Sequence, residues 1–233
     1  MNWIRLPFIA FFSLFFLTIV KAEESRVIEL IHEDESQNVS PFVTYIKDSL
    51  NDLSFEEVME TEDFKVITSD VPSFGISKST YWLKMDFLNL VDQEEFVLNV
   101  THPTLDFVEL YIPGEQNHKS IELGEHLAFD ARKYKDPNYL FDIKIKKGER
   151  KQFYLKVKSN EALQVPIAIG TKSAIMTSLK FKDILSGIYV GIMLVMIFYN
   201  LFIYFTVRDN SYILYVIYIL FILFPQTSLQ GYT

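Results

Sequence analysis

The sequence predicts a mainly β protein: an antiparallel, jelly-roll-like β-sandwich followed by two transmembrane α-helices, the opening of an incomplete helical bundle. Three observations carry this reading. Apolar residues recur with period two through most of the stretch from Thr80 to Ile169. The stretch 184–207 runs for 24 residues without a charge, and a second apolar run follows it closely. The chain has no cysteine in 233 residues, so an exported domain must stand on a hydrophobic core and not on disulfides.

The elements follow in order. Residues 1–22 read as a secretory signal: Arg5 is the positive flank, 6–20 the apolar run, and Val20-Lys21-Ala22 places small side chains at the cleavage positions. Residues 23–74 form an acidic segment, with 14 Asp and Glu against 3 Lys and Arg. It is expected to supply an edge strand near 26–31 and a short helix, because Ser54 and Glu57 have capping-box spacing. Residues 75–172 are the core of the sandwich. In Tyr81-Trp82-Leu83-Lys84-Met85-Asp86-Phe87 the odd positions are apolar and the even ones mostly charged. The same alternation recurs in 96–101, 141–146, 153–158 and 163–169, with Pro, Gly, Asn and Asp between the runs. The Lys147-Gly148-Glu149 turn predicts a hairpin between two of these runs. Residues 173–183 form a juxtamembrane coupling segment, and 184–207 the first span, about 36 Å as a helix. A cytoplasmic loop, 208–211, and a second span, 212–233, close the chain. The favoured reading of its end is a truncation.

Composition excludes some chemistry. A net charge of −8 opposes nucleic-acid binding. There is no glycine-rich phosphate loop, nucleophile elbow or spaced carboxylate pair, so no catalytic residue and no cofactor are expected. His118, Glu122 and His126 are four apart, but they fall at a strand end and not on a helix, so no metal site is expected.

Candidate ligand contacts come from alternation. Trp82, beside Lys84 on the outward face of its strand, is a stacking platform for a sugar ring unless the acidic segment packs over it. Asn99 and Tyr154 also point outward and offer hydrogen bonds, with a solvated strand face as the plainer reading. Arg132 suits a carboxylate or phosphate, or pairs with an acid of the N-terminal segment. Asp106 is expected to tie down the His102-Pro103 turn. In the first span, Gly187 and Gly191 permit close helix packing, and Asn200 needs a polar partner at membrane depth.

Several motifs then carry a resemblance. Ser79-Thr80-Tyr81-Trp82-Leu83-Lys84-Met85, the stretch 102–111, Leu123-Gly124-Glu125, Asp136-Pro137-Asn138-Tyr139-Leu140-Phe141 and Leu163-Gln164-Val165-Pro166-Ile167 occur in this order. Gly187 to Gly191, Phe198-Tyr199-Asn200-Leu201-Phe202 and the stretch 208–215 follow. The set resembles the type-2 extracellular domain and first two helices of bacterial seven-transmembrane receptors with diverse intracellular signalling modules. The resemblance implies a jelly-roll ectodomain that binds carbohydrates or other small molecules, a seven-helix transducer, and a kinase, cyclase or similar output. It places the chain in the bacterial cytoplasmic (inner) membrane, with the sandwich periplasmic or extracellular. The expected partners are a small-molecule or carbohydrate ligand, the lipid bilayer, and a second copy or a separate signalling protein. A non-signalling membrane-tethered scaffold is the alternative, and a membrane-anchored carbohydrate-active enzyme the third reading.

Overall fold

A computed structural model describes residues 26–114, 117–229 and 231; the signal expected at 1–22 lies outside them. Among the described residues thirteen strands and three α-helices follow one another. The acidic segment supplies β1 (Val27–Leu30), β2 (Gln37–Asn38), β3 (Thr44–Asp48), α1 (Phe55–Glu60), β4 (Lys65–Val66) and half of β5 (Ser73–Ile76). Then come β6 (Thr80–Asn89), β7 (Glu95–Val100), β8 (Phe107–Ile112), β9 (Lys119–Leu123), β10 (Tyr139–Lys144), β11 (Arg150–Lys158), β12 (Ala162–Gln164) and β13 (Ile167–Thr171). The helices α2 (Lys172–Val207) and α3 (Asn210–Leu229) end the chain.

Two sheets face each other. The larger has the order β4-β3-β6-β11-β8-β9, and the smaller β10-β7-β13-β2. β6 is long enough to take two partners on one side. β3 pairs antiparallel with its first half and β1 parallel with its second. The core lies where the alternation puts it: Tyr81, Leu83, Met85 and Phe87 from β6 meet Phe96, Leu98 and Val100 from β7, with Phe141, Phe153, Leu155 and Ile169. The acidic segment is thus part of the sandwich, its Ile28, Leu30, Val39 and Val43 buried in this same core.

One expectation fails on topology. The turn at 147–149 does not close a hairpin, because β10 pairs with β7 while β11 pairs with β6 and β8. The chain crosses from one sheet to the other there. Both strands still aim their apolar faces into the same core, so the alternation alone could not tell a hairpin from a crossing.

The faces read as wet are largely covered. α1 is fixed by a complete capping box: Ser54 Oγ accepts from the Glu57 amide at 3.3 Å, and Glu57 Oε2 accepts from the Ser54 amide at 2.8 Å. The helix lays Phe55 and Val58 over Trp82 and Tyr154 on the larger sheet. On the other side, the first turns of α2 lay Ile175 and Leu179 over Val97 and Leu140 of the smaller sheet. The molecule is therefore four layers deep, helix, sheet, sheet, helix.

The expected coupling segment and first span form one uninterrupted helix, since Ile175 and Leu179 sit at the i, i+4 spacing that docks a helix face. α2 ends at Arg208 in the left-handed conformation (φ 57°), and Asp209 Oδ1 accepts from the Ser211 amide at 2.9 Å, capping the next helix. α3 packs back on α2 through Ile197, Val216 and Ile219, with Met193 and Leu201 beside them. It continues past Pro225 to Leu229, and the Thr227 hydroxyl donates to the Leu223 and Phe224 carbonyls in that last turn. Both helices are long and apolar enough to cross a membrane.

Candidate functional site

The residues expected to bind ligand are not brought together. Trp82 is fully buried between the sheet and α1, with the Lys156 ammonium 4.9 Å from its ring centroid. Tyr154 lies beside it, edge-on to Phe55 at 5.4 Å. The acidic segment supplies this cover: for Trp82 it is the alternative the sequence offered, and neither residue is an exposed ligand contact. Lys84 lies over the Phe64 ring, 5.0 Å from its centroid, on the same covered face. Asn99 is buried in β7, on the smaller sheet. Among the described residues Arg132 pairs with no acid of the N-terminal segment. Its guanidinium donates to the carbonyls of Gly124, Asp136 and Pro137 and lies 4.7 Å from the Tyr139 ring centroid. Asp106 ties down a different turn from the one expected, accepting from the Asn160 amide at 2.8 Å and from its side chain at 2.7 Å.

In the membrane helices, Gly187 and Gly191 face open space, and a Cβ added at either would meet nothing within 4 Å. Asn200 is buried and donates to the Met196 carbonyl of its own helix at 2.8 Å.

With α1 and the start of α2 lying over the two sheets, a marked concavity runs along the sandwich edge where β9 and β10 end the two sheets. The β9–β10 loop overhangs it. Two adjoining cavities, of about 380 and 450 Å3, share Lys119, Lys133, Tyr134 and Asp142. Both volumes fall in the range of small-ligand sites. Tyr134 stands at the junction, where its hydroxyl donates to Asp142 Oδ1 at 2.5 Å. Lys133 and Lys172 place their ammonium groups 5.6 and 5.5 Å from its ring centroid. Burial first, then the Asp142 carboxylate, pushes the Tyr134 phenol up to about 12. Burial raises the Asp142 carboxyl too, but the Lys133 ammonium and the Tyr134 hydroxyl outweigh it and hold the group below its usual range. Asp142 is therefore a charged acceptor at neutral pH. Asn138 Oδ1 and Arg132 Nε belong to residues lining the larger cavity, and both atoms are buried without a hydrogen-bond partner.

Sequence reasoning missed most of this groove. The signal was the cationic run Arg132-Lys133-Tyr134-Lys135, of which only Arg132 was singled out. What makes a site of the run is the edge position of β9 and β10, which only the sheet order gives.

One end of the sandwich meets the helices. The Tyr139 hydroxyl lies 2.7 and 2.8 Å from the carbonyl oxygens of Pro103 and Leu105. Gly124 passes so close beneath Asp106 that a Cβ would stand 2.3 Å from its carbonyl oxygen. His126 Nδ1 lies 2.5 Å from that same oxygen, and Nε2 lies 2.9 Å from Glu122 Oε1. Both neighbours are acceptors, so both contacts are hydrogen bonds only when both ring nitrogens carry protons, and this holds the imidazole above its ordinary range. Beyond the end of α3, Gly231 (φ +77°) sits so near Pro103 and Pro137 that a Cβ would lie 2.8 Å from each. α3 therefore returns to the loops that hold the groove's lip. Burial raises the Asp136 carboxyl in that lip, and the charge of Asp183 on α2 adds to the effect.

No curated protein matches the sequence. Among solved structures, a carbohydrate-binding module in complex with beta-1,4-galactotriose is 12% identical over 60% of this chain and 91% of its own, with a TM-score of 0.28. A structure from a study of carbohydrate-binding modules of the β-sandwich superfamily is 11% identical over 59% of this chain and 54% of its own, with a TM-score of 0.27. A bacteriophage CBA120 tailspike enzymatic domain is 17% identical over 58% and 18%, with a TM-score of 0.24. Two family models match: 7TMR-DISM extracellular 2 over residues 40–171, and 7TM diverse intracellular signalling over 182–233. The first covers the sandwich from β3 to β13 and the second the paired membrane helices, so the chain belongs to the 7TMR-DISM family of membrane receptors.

Proposed function

We propose that this chain is the sensing part of a bacterial inner-membrane receptor, and that its extracytoplasmic sandwich binds a saccharide in the groove between β9 and β10. The observation that carries the reading is the position of the groove. It lies at the sandwich edge, beside the face of the smaller sheet that α2 covers, and it includes Lys172, the first residue of the helix that enters the membrane. A ligand there touches the ectodomain and the membrane helix at once. It can bias the helices only by binding two of their arrangements unequally. Polar residues, among them Asn138 and Arg132, line the larger cavity beside Ile121, Leu123 and Phe141, which supports a ligand with both polar and apolar surface. We read the groove as a binding site and not a catalytic one, because both carboxylates in the smaller cavity, Glu95 and Asp142, are engaged by lysines.

The test is calorimetric titration of the full chain in zwitterionic nanodiscs with a panel of neutral and acidic oligosaccharides, beside Lys119→Trp. Lys119 is exposed and lines both cavities, so the indole fills the groove without disturbing the core. Saturable binding that disappears in Lys119→Trp supports the reading. Binding that survives the block, or no binding across the panel, refutes it.

A further inference from the structure

The groove is charged against the character of the chain. The protein carries a net −8, yet the smaller cavity is lined by five lysines, Lys119, Lys133, Lys144, Lys151 and Lys172, against two carboxylates. Those carboxylates are already engaged: Lys133 pairs with Asp142, and Lys144 lies 3.6 Å from Glu95. Among the described residues, Lys119, Lys151 and Lys172 have no carboxylate within 4.0 Å. Lys151 donates to the Lys144 carbonyl, and Lys172 rests over the Tyr134 ring. Three like charges around one cavity repel each other, and an anion entering it relieves that repulsion. The adjoining cavity differs in character. Ile121, Leu123, Leu140 and Phe141 line it, together with Asn138 and Arg132. One end of the groove thus suits an anion, and the other suits the mixed apolar and hydroxyl surface of a sugar ring.

On the reading that this groove is the binding site, we propose that its ligand is a carboxylate-bearing saccharide, with the acid group held by Lys119, Lys151 and Lys172. Lysines grip as mobile point charges and not as a planar fork. The grip is therefore sensitive to salt and tolerant of how the carboxylate is turned. Lys172 gives the charge a direct route to the membrane helix.

The experiment uses the full chain in zwitterionic nanodiscs. It is titrated with oligogalacturonate, oligomannuronate and hyaluronate fragments, each beside its methyl ester, and with inorganic phosphate. Esterification removes the charge and keeps the sugar. The expected result is at least one acid that binds roughly tenfold or more tighter than its ester, with affinity falling as ionic strength rises. Replacing Lys119, Lys151 and Lys172 together by Gln weakens that acid by about 10- to 100-fold, at about two- to fivefold per exposed ion pair. All three lysines are exposed or half-buried, so the variant should melt with the parent, and calorimetry checks that it does. Lys172→Arg should restore part of the loss. Acid and ester binding equally, with the triple variant silent, overturns the charge proposal and leaves a saccharide groove standing. Phosphate binding as tightly as the best acid overturns the saccharide half. No acid binding overturns the proposal. If neutral sugars then bind and Lys119→Trp abolishes it, the groove reading survives alone; if nothing binds, both fall.

Discussion

Trp82 separates two descriptions of this domain, and its replacement gives a large signal. An exposed stacking platform would lose ligand affinity on substitution and keep its stability. The structure sets the opposite expectation. The indole side chain is wholly buried, 5.1 Å from the Tyr111 ring centroid and 6.3 Å from that of Phe55. A tryptophan of this kind removes about 200 Å2 from water, which at ~25 cal/mol per Å2 is about 5 kcal/mol. Against this, Trp82 Nε1 is buried with no acceptor, a penalty of about 1–3 kcal/mol that truncation also removes. Trp82→Ala should therefore destabilise by about 2–4 kcal/mol, overlapping the usual range for large-to-small core changes. For a chain of this length that lowers Tm by about 4–16 °C. Trp82→Phe removes the unmatched N–H at the price of a small void, and its Tm should stay within about 3 °C of the parent. Differential scanning calorimetry of the full chain in nanodiscs reads both variants. A Trp82→Ala protein that melts within 2 °C of the parent, on the order of the scatter expected for surface changes, would refute the covered position of Trp82 and with it the role of α1 as a lid.

Three further outcomes follow from the same coordinates of charge and space. Asp48 is buried and accepts from the amides of Asn51, Asp52 and Leu53; Asp48→Ala strands them beside the left-handed Asn51 and should cost about 2–3 kcal/mol, read by calorimetry. Gly124→Ala drives a methyl into the Asp106 carbonyl and should cost about 1–3 kcal/mol, lowering Tm by several degrees. His126 has its folded pKa raised above the ordinary 6.5, by the Asp106 carbonyl and then by Glu122. Its stabilisation is thus fully present below pH 6.5 and lost as pH rises through the folded value. The Tm difference between the parent and His126→Gln should be largest near pH 5.5 and shrink by pH 8.5; a difference that is flat or grows with pH contradicts the arrangement.

The sequence was most legible where one face decides the outcome. The odd positions of β6 and the alternating runs of β7, β10, β11 and β13 all point into the core, because a period-two pattern leaves each strand one way to sit. The capping box at Ser54 and Glu57 and the break at Arg208 were also readable, since each is a local arrangement of a few residues. The second faces were not. Whether Trp82 is wet depends on a helix that begins 27 residues earlier in the chain, and Val97 likewise depends on α2, far along it. Contacts between distant elements leave no periodic trace. The groove was hidden for the same reason: its lysines come from β9, β10, β11, a loop and α2, and only sheet order makes β9 and β10 neighbouring edges.

The uninterrupted α2 has a mechanical consequence. Its 36 residues make a rod about 54 Å long, clamped to the smaller sheet at one end, with no hinge between the clamp and the bilayer. Such a rod acts as a lever. A tilt of about 5° at the clamp carries the far end sideways by about 5 Å, roughly one helical turn. The return of the chain to Pro103 and Pro137 after α3 supplies a second point of support. With two supports the sandwich cannot swivel freely above the membrane, and a shift at the groove must be taken up as a change in the angle between the helices.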